Sequence, residues 1–242
     1  ETQIDCLNIN IHSLSYQRGF GFWFKLTYNQ CMKKLILMLF FSLGFIGATY
    51  AGEIDNNISK LKASNACVSC NLDRAYLSRR DFSDANLSGA ILSYADLRDS
   101  KLVRANLKGA SLSGTYLSGA DLSNADLGGA DLSTADLTRA FLSGTNLLRA
   151  KLWKTYLAGA DLGEANLSYA DIRGATFNQA YLSGANFSGA NLSGASLYKA
   201  NLSGANLTGA NISGGSLNSA NLSGAIICRT IMPNGFTDNS GC

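Results

Sequence analysis

Among residues able to do chemistry, the most suggestive spacing is Cys67-Val68-Ser69-Cys70. Two cysteines separated by two residues suit a redox dithiol, half of a zinc site or a haem attachment. Each reading meets an obstacle. Haem attachment requires His after the second Cys, and Asn71 stands there. Zinc requires further ligands, yet the sole His of the chain, His12, belongs to a separate N-terminal segment. A thioredoxin-like dithiol belongs to a βαβ pattern, which is missing here. The carboxylates Asp121, Asp126, Asp131 and Asp136 recur at intervals of five, a belt rather than a convergent acid–base pair. No catalytic group, cofactor or metal is therefore expected, and no enzyme.

Bulk composition narrows the classes further. Charged residues are 15% of the 242 and the net charge is +3, which argues against a nucleic-acid-binding surface and against a disordered tail. Twenty-five glycines against one proline point to a repetitive chain with short turns.

The first 51 residues carry no repeat. Met32-Lys33-Lys34, the apolar run Leu35 to Ile46 and the small residues ending Thr49-Tyr50-Ala51 reproduce the three zones of a secretory signal peptide, with cleavage expected after Ala51. The alternative is a membrane anchor. Leu35 to Ala51 is 17 residues, the short limit of the roughly 17–25 that a span needs. Read with Met32 as the start, residues 1–31 are an upstream extension foreign to the native protein, 32–51 are the signal peptide, and Gly52 opens the mature chain. That chain carries 16 basic and 15 acidic residues. It is nearly neutral and is expected in the periplasm or outside the cell, without a membrane span.

From Leu72 to Leu222, Leu, Ile or Phe occupies every fifth position through 31 consecutive pentapeptides, and two residues before each sits a small residue, usually Ala. A helix cannot bury such a pattern, because five steps of about 100° turn the face by about 140°. A strand would point successive leucines to opposite sides. Turning a corner once per repeat sends every Leu and its small partner to the axis of a coil, which is a solenoid.

The verbatim units Ala85-Asn86-Leu87-Ser88-Gly89 and Ala120-Asp121-Leu122-Ser123-Asn124 resemble the pentapeptide-repeat family over residues 70–227. The resemblance implies an all-β fold, a right-handed quadrilateral β-helix with four pentapeptides per coil and about eight coils. Residues twenty apart should then stack. Asn86, Asn106, Asp126, Asn146, Asn166, Asn186 and Asn206 form such a column, expected to be an outward ladder of side-chain hydrogen bonds. A second column reads Tyr76, Asp96, Tyr116, Asp136, Tyr156, and a third contains Asp131, Lys151 and Asp171.

Residues 52–70 are expected to cap the N-terminal end, with Ile54, Ile58, Leu61 and Ala63 spaced for a short amphipathic helix or an extended lid. The repeat then runs over 71–227, and a Cys-bracketed cap over 228–242. In an exported chain the four remaining cysteines read as two disulfides. Eight coils at about 4.8 Å each make a rod of about 38 Å, so Cys67 pairs with Cys70 and Cys228 with Cys242, each at its own end.

One surface stretch departs from the background. Arg139, Phe141, Arg149, Lys151, Trp153, Lys154 and Tyr156 interleave basic and bulky side chains without an acid, a candidate partner patch. The expected function is an exported scaffold that offers its outer faces to a protein or envelope component. Some family members mimic duplex DNA toward type II topoisomerases and confer quinolone resistance, which makes the alternative. Near-neutral charge and a signal peptide disfavour it, and no nucleic-acid partner is expected.

Overall fold

The computed structural model describes residues 51–242. Expectations placed on residues 1–50, the upstream extension and nearly all of the signal peptide, lie outside the described residues. Within them no helix is long and apolar enough to cross a membrane.

Helix α1 occupies 51–64. Its apolar residues Ile54, Ile58 and Leu61 fall at i, i+4 and i+7 and so share one stripe. Leu61 is fully buried against the first coil, with Ile54 and Ile58 partly so, while Ala63 faces solvent. The helix stops at Asn65, whose backbone turns left-handed (φ 50°) while its N–H still donates to the Leu61 carbonyl. Two amides then cover the open edge of the first coil: Asn57 Nδ2 donates to the Asn71 carbonyl at 2.9 Å, and Asn65 Nδ2 to that of Ser83 at 2.8 Å.

From Ala66 the chain winds through flat faces of about three residues joined by two-residue corners. Parallel bridges join every fifth residue to the one twenty further on, from Ala66↔Asn86 to Asn211↔Ile231. That register fixes four pentapeptides per coil. Within it Leu72 N–H donates to the Ile91 carbonyl (2.7 Å) and Arg74 N–H to that of Ser93 (2.9 Å), a pattern repeated along the rod. The four faces are named here by their bridge columns, starting at residues 66, 71, 76 and 81.

Nearly every corner is closed by an N–H from the inward small residue to the carbonyl of the preceding large apolar residue, as between Ala75 and Leu72 (3.1 Å); at the corner where Arg80 stands in place of the small residue, exposed, this bond is missing. Of the two residues between donor and acceptor, the second has positive φ at every corner from Ser69 to Arg229, between 52° and 70°. Positive φ at the third turn residue alone is the signature of a type II turn. This explains the Gly that so often ends a repeat unit. Fewer than half of these corners hold Gly, however, and Arg, Lys, Tyr, Glu and Thr adopt the same conformation at the others.

Inward Leu and Ala side chains are essentially without solvent contact from Leu72 to Ile212. The buried Thr and Ser residues of the small column are satisfied internally. Thr115, Thr145 and Thr155 each donate Oγ1 to the carbonyl of the Leu 23 residues earlier, at 2.7–2.8 Å, and Ser100 Oγ donates to Leu97. Phe177 and Phe187 meet edge to face across the interior, centroids 6.2 Å apart. Gly215 marks the end of this packing, since a β-carbon there would stand 2.7 Å from the Ala195 carbonyl oxygen. Beyond it Leu217 and Leu222 are only partly buried. The closing segment folds back as a hairpin of β1 (Thr230–Ile231) and β2 (Thr237–Asp238), turning through Met232 to Gly235.

Candidate binding faces

The cysteines sit at the two ends. Cys67 is bonded to Cys70 and Cys228 to Cys242, so the first pair locks the entry into the rod and the second ties the final residue to the base of the hairpin.

The asparagine column lies on the first face. Its side chains do reach between coils, most closely from Asn146 Nδ2 to Asp126 Oδ1 (2.8 Å), and more loosely from Asn106 to Asn86, Asn166 to Asn146 and Asn186 to Asn166 (3.3–3.5 Å). A second use is more regular. The Oδ1 of Asn86, Asn106, Asn146, Asn166, Asn186 and Asn206 each accepts the N–H two residues ahead. This is an Asx turn that starts the corner. Asp121, Asp126, Asp131 and Asp136 do the same on their four faces, so they surround one coil and form no common site.

The basic and aromatic stretch between Arg139 and Tyr156 is wound around the rod. Phe141 lies on the fourth face, Lys151 on the second and Tyr156 on the third; Arg139 and Arg149 occupy different corners. Lys151 reaches Asp131 in its own column at 3.8 Å. Trp153 and Lys154 share the corner between the second and third faces, which Lys151 borders on one side and Tyr156 on the other. There the Lys154 ammonium lies 4.4 Å from the centroid of the Trp153 ring.

The third face carries the most structured surface. Tyr76, Asp96, Tyr116, Asp136 and Tyr156 follow one another in its column, one per coil. Tyr94 lies at the adjoining corner, its ring beneath the Arg74 guanidinium (5.7 Å). These residues frame two shallow grooves. One, of about 350 Å³, is bordered by Tyr76, Tyr94 and Tyr116 over Asp96 and Arg98. The next, of about 470 Å³, runs between Tyr116 and Tyr156 over Asp136 and Thr138. In the first, Arg98 donates Nε and Nη2 to the two oxygens of Asp96 (2.8 and 2.7 Å), which holds that carboxyl below the usual carboxylate range. The columnar order of the tyrosines is visible in the sequence. The contribution of Tyr94 is not, because a corner residue meets its neighbouring face only once the turn is known.

Other carboxylates are likewise neutralised. Arg104 forks onto Asp84 one coil back, both bonds at 2.7 Å, and Arg173 onto Asp171, and both carboxyls are held low by these hydrogen bonds. Among the described residues no cluster of His, Cys, Asp or Glu could hold a metal ion.

Residues 70–224 match the family model for pentapeptide repeats, in adjoining and overlapping stretches. The chain belongs to the pentapeptide-repeat family, whose members fold as right-handed quadrilateral β-helices. Among solved structures it is similar to HetL, a pentapeptide repeat protein involved in heterocyst differentiation regulation in the cyanobacterium Nostoc sp. strain PCC 7120. The two share 31% identity over 75% of this chain and 98% of that one, with a TM-score of 0.36. A pentapeptide repeat protein of the Arabidopsis thaliana thylakoid lumen shares 37% identity over 43% of this chain and 69% of that one, TM-score 0.27. Rfr23 from the cyanobacterium Cyanothece shares 30% over 71% and 92%, TM-score 0.22. No curated protein sequence matches the chain.

Proposed function

We propose that this protein is an exported, non-enzymatic scaffold that works through the outer faces of its rod. The observation that carries the reading is the pair of disulfides, one closing each end of the repeat. Disulfides of this kind persist in oxidising compartments and are reduced in the cytosol. An interior filled by Leu and Ala supports the absence of catalysis, since it leaves ligands nothing but the surface. Forked arginines neutralise Asp84, Asp96 and Asp171, and the other carboxylates of the face columns share them with Lys, Asn, Tyr or Phe, which speaks against a continuous anionic stripe that could pass as duplex DNA.

Cell fractionation tests this directly. The protein is expected in the periplasm or the medium, with all four cysteines resistant to alkylation until a reductant is added. Recovery in the cytosol with free thiols would overturn the proposal.

A further inference from the structure

The third face differs from the other three in a way the repeat does not require. Its column alternates Tyr76, Asp96, Tyr116, Asp136, Tyr156 and then reverts to Thr176 and Ser196. Coils stack about 4.8 Å apart, so the three rings stand in line at steps of about 10 Å along the rod. Each is at least half exposed, Tyr76 at 82%. A single exposed ring needs no explanation, but three rings with an apolar face and a polar tip, aligned in one column, make a repeated surface that a ligand can use.

What could cover them is constrained by charge and by period. The first groove holds Arg74, Arg98 and Asp96, the second Asp136 as its only ionic group. Together they are neutral, with hydrogen-bond donors in one and a carboxylate acceptor in the other. Thr134 and Thr138 add hydroxyls beside Asp136. A charged polymer finds no field to follow here. A neutral chain rich in hydroxyl groups finds aromatic platforms for its ring faces and polar groups between them. The regular step favours a linear polymer over a folded protein surface, which would have no reason to repeat at twice the coil spacing.

We infer that the third face, from Tyr76 to Tyr156, binds an extended β-linked polysaccharide lying along the rod axis. Alternate sugar rings rest on the tyrosines, and the intervening ones set their hydroxyls against Asp96–Arg98 and Asp136. In an extended β-linked chain every second ring presents the same face, at an interval close to the roughly 10 Å between these tyrosines. The inference rests on the export proposed above, because such chains belong to cell envelopes and matrices.

Retention of the protein, produced from the full chain, on cellulose, chitin, insoluble starch and a heparin matrix tests it. Cellulose or chitin is expected to retain the wild type and starch to leave it free, since the α-linked chain coils and cannot align its rings. Tyr116→Ala, shared by both grooves, is expected to weaken retention about tenfold, the scale of one lost aromatic contact. Tyr76→Ala should cause a smaller loss. Tyr181→Ala, 58% exposed on the fourth face, should change nothing. Unaltered thermal unfolding of each variant shows that the rod persists. The inference is overturned if neither cellulose nor chitin retains the protein, if Tyr181→Ala loses as much as Tyr116→Ala, if starch retains it equally, or if heparin binds best and salt releases it. Fractionation answers separately: a cytosolic protein retained on cellulose keeps the groove and loses the compartment, whereas an exported protein that binds no glycan does the reverse.

Discussion

The ring of Tyr94 lies across Gly114, one coil further along: a β-carbon on Gly114 would stand 2.5 Å from Cε1 and 2.7 Å from Cδ1 of the tyrosine. Gly109 shares the same φ of 65° but faces open space. Gly109→Ala is expected to cost about 1 kcal/mol, the strain of a left-handed L-residue. Gly114→Ala should cost up to about 1 kcal/mol more, because the ring must also swing away. Chemical unfolding of both variants checks this, and in a Tyr94→Ala background the difference should vanish.

Thr134 is a β-branched residue held at φ 59°, where branching at Cβ is least tolerated. Thr134→Asn should raise stability by roughly 0.5–1 kcal/mol, since Asn accepts the left-handed region more readily. Asn124→Thr, at the corner two faces earlier, should lower it by a similar amount. Opposite shifts of the unfolding midpoint would establish that corner conformation, and not a particular contact, sets both effects.

The disulfides should contribute unequally. Cys228 and Cys242 are 14 residues apart in sequence, and closing a loop of that size in the unfolded chain is worth about 3 kcal/mol. Cys67 and Cys70 close a much shorter one. Replacing Cys228 and Cys242 by Ser should therefore depress the melting temperature more than replacing Cys67 and Cys70. Reductant, which opens both, should lower it at least as far as the larger of the two, with the C-terminal coil around Leu217 and Leu222 opening first by hydrogen exchange.

Acid should weaken the rod. The Arg98 guanidinium holds the Asp96 carboxyl below its ordinary value, and Arg173 does so for Asp171. In the unfolded chain both carboxyls regain pKa values near 4, so as pH falls the unfolded state binds protons first. The stabilisation is complete above that pH and fades as pH drops toward the lower folded values. Melting temperature should be level from about pH 6 to 8 and fall below about pH 4. Asp96→Asn should differ most from the wild type at neutral pH, and the two curves should converge in acid.

The period of five, the inward Leu and Ala and the stacking of residues twenty apart are all legible in the sequence, because burial imposes them at every repeat. The pairing of Cys67 with Cys70 and Cys228 with Cys242 follows from the length of the rod. The left-handed corners are harder to see. Residues such as Arg74, Lys154 and Glu164 occupy them, so composition conceals a backbone rule that glycine alone would have advertised. The stretch from Arg139 to Tyr156 misleads for a related reason. Sequence neighbours five apart lie on successive faces, so proximity along the chain places Phe141 and Lys151 on opposite sides of the rod. Conversely Tyr76 and Tyr156, eighty residues apart, share one line.

Pairing between residues twenty apart also governs which edits the molecule can absorb. A twenty-residue cassette inserted anywhere in the repeat leaves every downstream column in register and merely lengthens the rod. A five-residue insertion preserves the buried pattern equally well, yet rotates everything after it by a quarter turn and breaks each surface column at that point. Stability and surface display thus respond to different units of change, and a row such as that of Tyr76, Tyr116 and Tyr156 can grow or be cut without the core registering the difference.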